Sequence, residues 1–389
     1  MHICYICSEY PRIGRTHGGI GRKLQHIAKR LVALGHQASV VGFDNDPCSI
    51  SDAGVNVEMI APSKQHGLIG LLQNRQLIRK HLLTLIQDNK VDLVEFQDGY
   101  ASLMPFKLPV PMVTRFSCSH SYYARVLGHR PNWGRAFIER LFIPRATAHA
   151  SCSRFVGDVS AELFNLKPDS IRVLYNPIDL TEYPTEPSGQ IEKGLILFVG
   201  SVYWVKGVFE LIKAFDIVLE RYSYAKLVFV GRDIPDRAHN SKSTVALLKA
   251  TLSNRAQNHV EFVGHQSHDV VLDYLRRSEV FVLPSHNEGH SNAVGEAQAS
   301  FKSIVLGDRA AAREVIQHRI SGILVDPSDP KSIACGINEI LSDPALRDSM
   351  GLAARAAVEK RFSLDTLMPQ NLEFYTDALS SWASRATRR

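Results

Sequence analysis

Cysteine is scarce in this chain, with six in 389 residues, at positions 4, 7, 48, 118, 152 and 335. So thin a scatter excludes a disulfide-stapled fold. Cys4 and Cys7 have CxxC spacing, but they lie in a strand-like run where odd spacing sends their side chains to opposite faces, and no second cysteine or Cys/His pair completes a zinc site. Buried, reduced thiols are the plain reading. Long apolar runs are also lacking. No window approaches the roughly 20 unbroken apolar residues needed to cross a bilayer, and Met1–Cys7 carries neither a basic segment nor a cleavage site. A cytoplasmic protein is therefore expected. No low-complexity tract or short-period repeat is present, and 45% hydrophobic with 22% charged residues excludes a disordered or collagen-like chain. The phosphate-binding pattern GxxxxGK[ST] is absent too, which argues against a Walker-type nucleotidase.

The net charge of +6 is unevenly placed. Residues 1–180 hold 21 Lys and Arg against 14 Asp and Glu, leaving 24 against 25 for the rest of the chain. The basic excess thus belongs to the first half. Its densest stretch contains Arg125, Arg130, Arg135, Arg140 and Arg145 with Trp133, Phe137 and Phe142 interleaved and only Glu139 opposing. Such a segment suits an anionic lipid or nucleic-acid surface, or is a solvated face with its apolar side turned inward. A second basic cluster is Arg75, Arg79, Lys80 and His81.

Hydrophobic periodicity supplies the architecture. An apolar strand at 2–8 leads through a Gly-rich loop into a helical pattern at 19–34, and another buried strand follows at 38–43. Short apolar runs then alternate with helical patterns: strands at 55–60, 93–96, 112–116, 148–151 and 171–174, with helices at 71–89, 132–142 and 154–164. Between Asn176 and Gly194 the pattern lapses into Pro177, Pro184, Pro187, Ser188 and Gly189, as a linker does. A fresh strand at 195–199 restarts the alternation, with strands at 225–230, 260–263, 280–284, 303–306 and 322–325. Helices are expected between them and at 330–341, and a last helix at 364–379 follows the completed second sheet. The expected fold class is α/β, with two tandem Rossmann-like domains of parallel sheet facing across a cleft. The domains are 1–180, 181–363, and a C-terminal helix, 364–389, crossing back to the first.

Ligands of open α/β sheets bind at the carboxyl ends of the strands, so chemistry is sought in those loops. The first such loop holds Gly14, Gly18, Gly19 and Gly21, where backbone amides and a helix N-terminus favour a phosphate, or where the chain merely turns. About ten residues separate strand from glycines, which is the wrong spacing for the fingerprint of a nicotinamide-dependent oxidoreductase. In the second half, the strand at 280–284 runs into Ser285 through Glu296 and sets Glu288 in the loop and Glu296 about one turn inside the next helix. Two carboxylates so placed can each grip a hydroxylated ring, or be two solvated acids, while free amides near Asn292–Val294 suit anionic oxygen. Gly200-Ser201 closes the strand at 195–199, and Lys206-Gly207 opens a helix, where a lysine can neutralise a departing diphosphate. Asp44-Asn45-Asp46 has a metal-binding DxD form but follows a strand end, where a turn is the better reading.

Taken together, these residues resemble the retaining, nucleotide-sugar-dependent glycosyltransferases of family 4, of GT-B fold, also described as group 1. The resemblance spans nearly the whole chain. It is carried by Gly18-Gly19, Asn176-Pro177-Ile178-Asp179, Phe198-Val199-Gly200 with Lys206-Gly207, Phe262-Val263-Gly264, Pro284-Ser285, the Glu288/Glu296 pair, and Ser321-Gly322-Ile323-Leu324-Val325. It implies that Glu288 holds hydroxyls of the donor sugar and Glu296 the ribose, that Lys206 and the Gly18-Gly19 amides cradle the diphosphate, and that the main chain near His265 borders the base. Gly200, Ser201, Gly289, His290, Ser291, Asn292 and Ala293 complete the implied donor site. Retention of configuration without a metal or other cofactor is implied, by front-face attack in which the leaving phosphate helps deprotonate the acceptor.

Three positions depart from the family's pattern. Gly200-Ser201 stands where members often have Gly-Arg, so one diphosphate cation is either missing or supplied from elsewhere, for instance by Arg22 or Arg232. Ser117-Cys118-Ser119-His120 stands where many have a histidine near the sugar, which leaves His120 as a displaced substitute, completing the expected catalytic set of Glu288, Lys206 and His120, or leaves no imidazole there. Ala310-Ala311-Ala312 replaces a usual Gly-Gly pair. The expected function is transfer of a sugar from a UDP- or GDP-sugar to a hydroxyl acceptor, in surface polysaccharide, glycolipid or glycoconjugate assembly, with no nucleic-acid partner. The basic segments add an expected peripheral contact with the inner face of the cell membrane. The alternative from another class is a non-catalytic or weakly active nucleotide-sugar-binding protein.

Overall fold

The computed structural model describes residues 1–12, 18–117, 119–187, 189–236 and 241–386. The chain divides into two compact units, Met1–Pro177 with Leu364–Arg389, and Ile178–Ser363.

The first unit begins with β1 (His2–Ile6), α1 (Gly19–Ala33), β2 (Gln37–Phe43), β3 (Cys48–Asp52), β4 (Val55–Ile60) and α2 (Gly67–Asn89). It continues with β5 (Leu93–Gln97), β6 (Met112–Phe116), α3 (His120–Val126), α4 (Trp133–Phe142), β7 (Ala148–Ser151), α5 (Arg154–Phe164) and β8 (Ile171–Val173). Its sheet runs β3-β4-β2-β1-β5-β6-β7-β8, parallel throughout except for the edge strand β3. Helices cover both faces, so β1 and β5 are buried along their whole lengths, the polar His2, Glu95 and Gln97 included. Cys7 packs with α1 on one face and Cys4 with the α2 and α5 side on the other. Burial pushes both thiols up to about 12.

The second unit contains β9 (Leu195–Val199), α6 (Val208–Arg221), β10 (Lys226–Val230), α7 (Thr244–Thr251), β11 (Val260–Gly264), α8 (His268–Arg277) and β12 (Val280–Leu283). It ends with α9 (Asn292–Ala299), β13 (Ile304–Gly307), α10 (Ala312–Val315), β14 (Ile323–Val325), α11 (Pro330–Ser342) and α12 (Pro344–Arg361). Its six parallel strands are ordered β11-β10-β9-β12-β13-β14. This is the doubly wound order in which the chain reverses direction between its first and fourth strands.

The last helix, α13 (Leu364–Ala386), belongs to the first unit. A buried polar cluster fixes it there. Arg115 of β6 donates from Nε to Glu95 Oε1 at 2.8 Å and from Nη2 to Asn371 Oδ1 at 2.8 Å, while the Tyr375 hydroxyl donates to Glu95 Oε2 at 2.8 Å. Burial alone would lower the Arg115 guanidinium, but Glu95 reverses this and holds it above its ordinary range. Around that cluster, Met368, Phe374 and Ala378 join the same apolar core as β1 and α1.

Three described elements are not anticipated by periodicity. The strand β3 is a largely exposed edge with polar residues, joined to β4 through Ala53 and Gly54, both at positive φ. Helix α3 is a short turn capped by Ser119, which accepts from Tyr122 N. Helix α12 starts at the Asp343-Pro344 pair, where Asp343 accepts from Leu346 N and Pro344 sits in the first turn. Among the described residues no helix is long and apolar enough to cross a membrane.

Candidate functional site

In the second unit, β9 and β12 are neighbours although β10 and β11 separate them in sequence. Their carboxyl-end loops therefore meet at the point where the strand order reverses, the usual ligand crevice of an open α/β sheet. The loop after β9 passes Gly200 and Ser201, makes a tight turn over Trp204–Lys206, and enters α6 through Gly207. Gly207 has φ +67°, and a Cβ there would stand 2.0 Å from the carbonyl oxygen of Pro284. Only glycine lets these two loops approach so closely. His286 N then donates to Val205 O at 2.8 Å and joins them.

This stitching brings Lys206 onto Glu288, which form an ion pair through Nζ and Oε1 with both side chains largely shielded. Ser285 Oγ donates to the same oxygen, Oε1, at 2.9 Å. The peptide oxygen of Glu288 accepts from Ala311 N at 3.2 Å, tying the loop to a third connection, the one after β13. Next to it, His286 Nε2 lies 3.5 Å from Glu210 Oε2. Burial raises the Glu210 carboxyl, but hydrogen bonding from His286 outweighs this and leaves it below its ordinary value.

The remaining residues of the loop occupy graded environments. Gly289 and His290 are buried, and the His290 ring meets Phe362 edge-on at 4.9 Å between centroids. Ser291 precedes α9, Asn292 and Ala293 form its first turn, and Glu296 stands half-buried one turn in. Gly295 on the opposite side of α9 admits Ile178, since a Cβ there would lie 2.7 Å from Ile178 Cδ1. His265 is exposed beyond the end of β11. Ser201 sits where Val202 N donates to Arg232 O at 2.8 Å, so the exposed Arg232 is carried on the loop beside it. Ala310 adopts φ +51°, a conformation natural to glycine. The Ala310-Ala311-Ala312 departure thus keeps a glycine-like backbone at a residue with a Cβ.

Gly18, Gly19 and His120 lie in the first unit. Gly18 is the N-cap of α1, and its missing side chain makes room for Glu9: a Cβ there would be 2.3 Å from Glu9 Oε2. The carboxylate of Glu9, which the sequence reading does not single out, therefore stands at the very helix start proposed for phosphate. His120 opens α3, and its Nε2 accepts from Asn132 N at 2.7 Å, so its ring links α3 to the start of α4. Ser117 donates from Oγ to Gln97 Oε1 at 2.7 Å and from its amide to Asp98 Oδ1 at 3.2 Å. Gly14, Cys118 and Ser188 fall outside the described residues. Asp44 accepts from Asp46 N at 2.9 Å and pairs with Arg12, the geometry of a strand-end turn. No group of three His, Cys, Asp or Glu side chains among the described residues is arranged to hold a metal ion.

The comparisons agree with this layout. Residues 17–182 match the model described as Glycosyltransferase Family 4, and residues 185–357 match Glycosyl transferases group 1. An uncharacterized glycosyltransferase of Methanocaldococcus jannaschii is 27% identical over 97% of this chain and 99% of its own length. A glycogen synthase of Mycobacterium tuberculosis is 24% identical over 97% and 95%. Among solved structures, sucrose-phosphate synthase of Thermosynechococcus elongatus superposes with a TM-score of 0.80 at 17% identity, covering 98% of this chain and 99% of that one. Anabaena HepE in complex with UDP-glucose gives 0.77 at 18% identity, covering 97% and 100%. With matches to both family models running in register along its two units, the chain belongs to the group 1 glycosyltransferases of GT-B fold.

Proposed function

We propose that the second unit binds a UDP-sugar or GDP-sugar where β9 meets β12, and that the protein passes the sugar to a hydroxyl acceptor with retention of configuration. The observation that carries this reading is the Lys206, Glu288 and Ser285 cluster at the switch point. Lys206 is a shielded ammonium at the N-terminal approach to α6, suited to the negative charge that grows on a diphosphate as its bond to the sugar breaks. Both hydrogen bonds to Glu288 use Oε1, which leaves Oε2 to accept from sugar hydroxyls. Arg232, on the loop beside Ser201, supplies a second cation. UDP-glucose bound to the Anabaena relative supports a uridine donor.

In this mechanism the bond between the anomeric carbon and the phosphate oxygen breaks, the acceptor oxygen bonds the same face of that carbon, and its proton passes to the departing diphosphate. No metal enters these steps. To the first unit, which holds the Gly18-Gly19 helix start, Ser117 and His120, we assign the acceptor, in surface polysaccharide, glycolipid or glycoconjugate assembly. We place the reaction in the cytoplasm, where its scattered thiols stay reduced.

The test is a panel of UDP- and GDP-sugars, read by thermal shift and by donor hydrolysis, with and without chelator, on wild type and Glu288→Gln. One donor should stabilise both proteins, with hydrolysis unaffected by chelator in wild type and lost in the variant. A Glu288→Gln variant that turns over like wild type would remove the cluster from the chemistry, and donor binding with no turnover by wild type would make the protein a binder.

A further inference from the structure

The first unit has a groove that the donor reading does not use. It measures about 840 Å³ and runs between the 104–112 segment, the end of α4 and the last turns of α13. Its lining is apolar in Phe96, Met104, Phe106, Val110, Met112 and Trp382. Lys107, Arg145 and Arg385 also line it; all three are exposed, and none pairs with a carboxylate among the described residues. Arg145 is poised over the Phe142 ring at 5.0 Å. An apolar trough with cations at its rim matches an amphiphile with an alkyl chain and an anionic head.

Helix α4 carries the second, independent observation. Trp133, Phe137 and Leu141 recur at every fourth residue and are 80%, 54% and 38% exposed, with the first two rings stacked at 5.6 Å. An ordinary surface helix turns such a stripe inward. Here the inward side holds instead the helix's one acid, Glu139, which accepts from the amides of His120 and Ser121 at 2.9 Å each. Around the outward stripe stand the exposed Arg130, Arg135 and Arg140 with no exposed acid between them. Phe142, which follows Leu141 and ends α4, is also a wall of the groove, so the helix that bears the stripe leads into the trough. The start of α2 adds Leu68 and Ile69, 69% and 62% exposed, and Arg75 ties that helix to Ser102 O at 2.7 Å, in the turn against which α4 also packs.

We propose that the first unit seats on an anionic bilayer, with Trp133, Phe137 and Leu141 at headgroup depth, and that the groove takes an acyl chain whose phosphate meets Lys107, Arg145 and Arg385. Aromatic residues on an apolar face flanked by arginines are the chemistry of an interfacial helix, and the basic excess of this unit attracts an anionic surface. The inference concerns lipid binding alone and holds whichever sugar is transferred.

Sedimentation of the full chain with equimolar phosphatidylglycerol and phosphatidylcholine vesicles, against phosphatidylcholine alone, tests the seat. Binding should require phosphatidylglycerol and weaken with salt. Trp133→Ser with Phe137→Ser should reduce it roughly ten-fold or more, and Arg135→Gln with Arg140→Gln about five-fold per arginine. All four residues are exposed, so the thermal transition should stay in place, which separates lost binding from lost fold. Equal binding to both vesicle types, or binding that survives the aromatic substitutions, overturns the proposal. So does a solution dimer that the same substitutions dissolve, because the stripe would then belong to a second copy. For the groove, Trp133→Phe with Trp204→Phe leaves Trp382 as the one tryptophan. Phosphatidylglycerol brominated along its chains should quench it, and unquenched emission from sedimenting protein overturns the acyl-chain assignment.

Discussion

Lys23 offers the sharpest test of the first unit's energetics. It lies one turn into α1 at 2% exposure, and its ammonium has no hydrogen-bond partner among the described residues. Burial, with the charge of Arg115 nearby, lowers its pKa from 10.5 to about 8. A difference of about 2.5 units at 1.36 kcal/mol each means that holding the proton costs the folded state about 3 kcal/mol at neutral pH. The folded pKa is below the unfolded one, so between pH 8 and 10.5 the unfolded chain binds more protons and stability rises with pH. Below pH 8 the full cost is present, and above 10.5 it is gone. Lys23→Met removes the charge and keeps the volume, so at pH 7 it should stabilise the unit by about 3 kcal/mol, or roughly 6–12 °C in its thermal transition. Urea unfolding of both proteins across pH 7 to 10.5 reads this directly, and the gap between them should close as the pH climbs. Parallel curves, or a variant less stable at pH 7, would refute the reasoning. A stabilised but inactive variant would instead show that the buried charge is kept for the reaction.

Four further outcomes are expected. Lys206→Ala and Glu288→Gln should each lower kcat/KM about 10²–10³-fold, with a combined loss well short of the product because the two side chains act as one unit; steady-state kinetics of the double-mutant cycle measures it. Gly207→Ala drives a Cβ to 2.0 Å from Pro284 O in a left-handed backbone, so it should cost about 3 kcal/mol or more and reduce donor affinity, read by urea unfolding and thermal shift. Arg115→Met strands the Glu95 carboxylate under α13 and should cost about 3–5 kcal/mol, whereas adding Glu95→Leu should recover much of it, again by urea unfolding. Ala310→Gly relieves a φ of +51° and should gain up to about 1 kcal/mol, since the strain released exceeds the added freedom of the unfolded chain.

The sheets were legible in the sequence because their central strands are covered on both faces, so β9 and β12 are continuous apolar runs and β1 is apolar after His2, while β5 stays short and buried although Glu95 and Gln97 interrupt it. What escaped lacks that signal. Strand β3, Cys-Ser-Ile-Ser-Asp, is exposed at the sheet edge and is held by its hairpin to β4, not by burial of its own side chains. Helix α12 buries only Met350, Gly351, Ala354, Arg355 and Val358 of its eighteen residues, a stripe too small and too polar to stand out, although Asp343-Pro344 is a readable start.

The site divides along the same line. Lys206 and Glu288 could be nominated from their loops, yet their contact crosses 82 residues and depends on which strands are neighbours. That adjacency follows once the second sheet is taken as doubly wound, because its first and fourth strands must then lie side by side and their loops must share one crevice. The sequence can therefore bring the two loops together but cannot say that both Lys206 and Ser285 use Oε1 of Glu288, which rests on Gly207 and Gly307 letting backbone approach backbone: a Cβ at Gly307 would stand 2.4 Å from Ser285 O. Nor could it reveal Glu9 at the start of α1, because a carboxylate nine positions from a glycine carries no periodic signature, and only the absent side chain of Gly18 makes room for it. Gly18, which looks like part of a phosphate cradle in the sequence, thus serves first as a spacer, as Gly207 and Gly307 do between the loops of the second unit, and any anion received beside these glycines must enter a space whose walls those close approaches have already set.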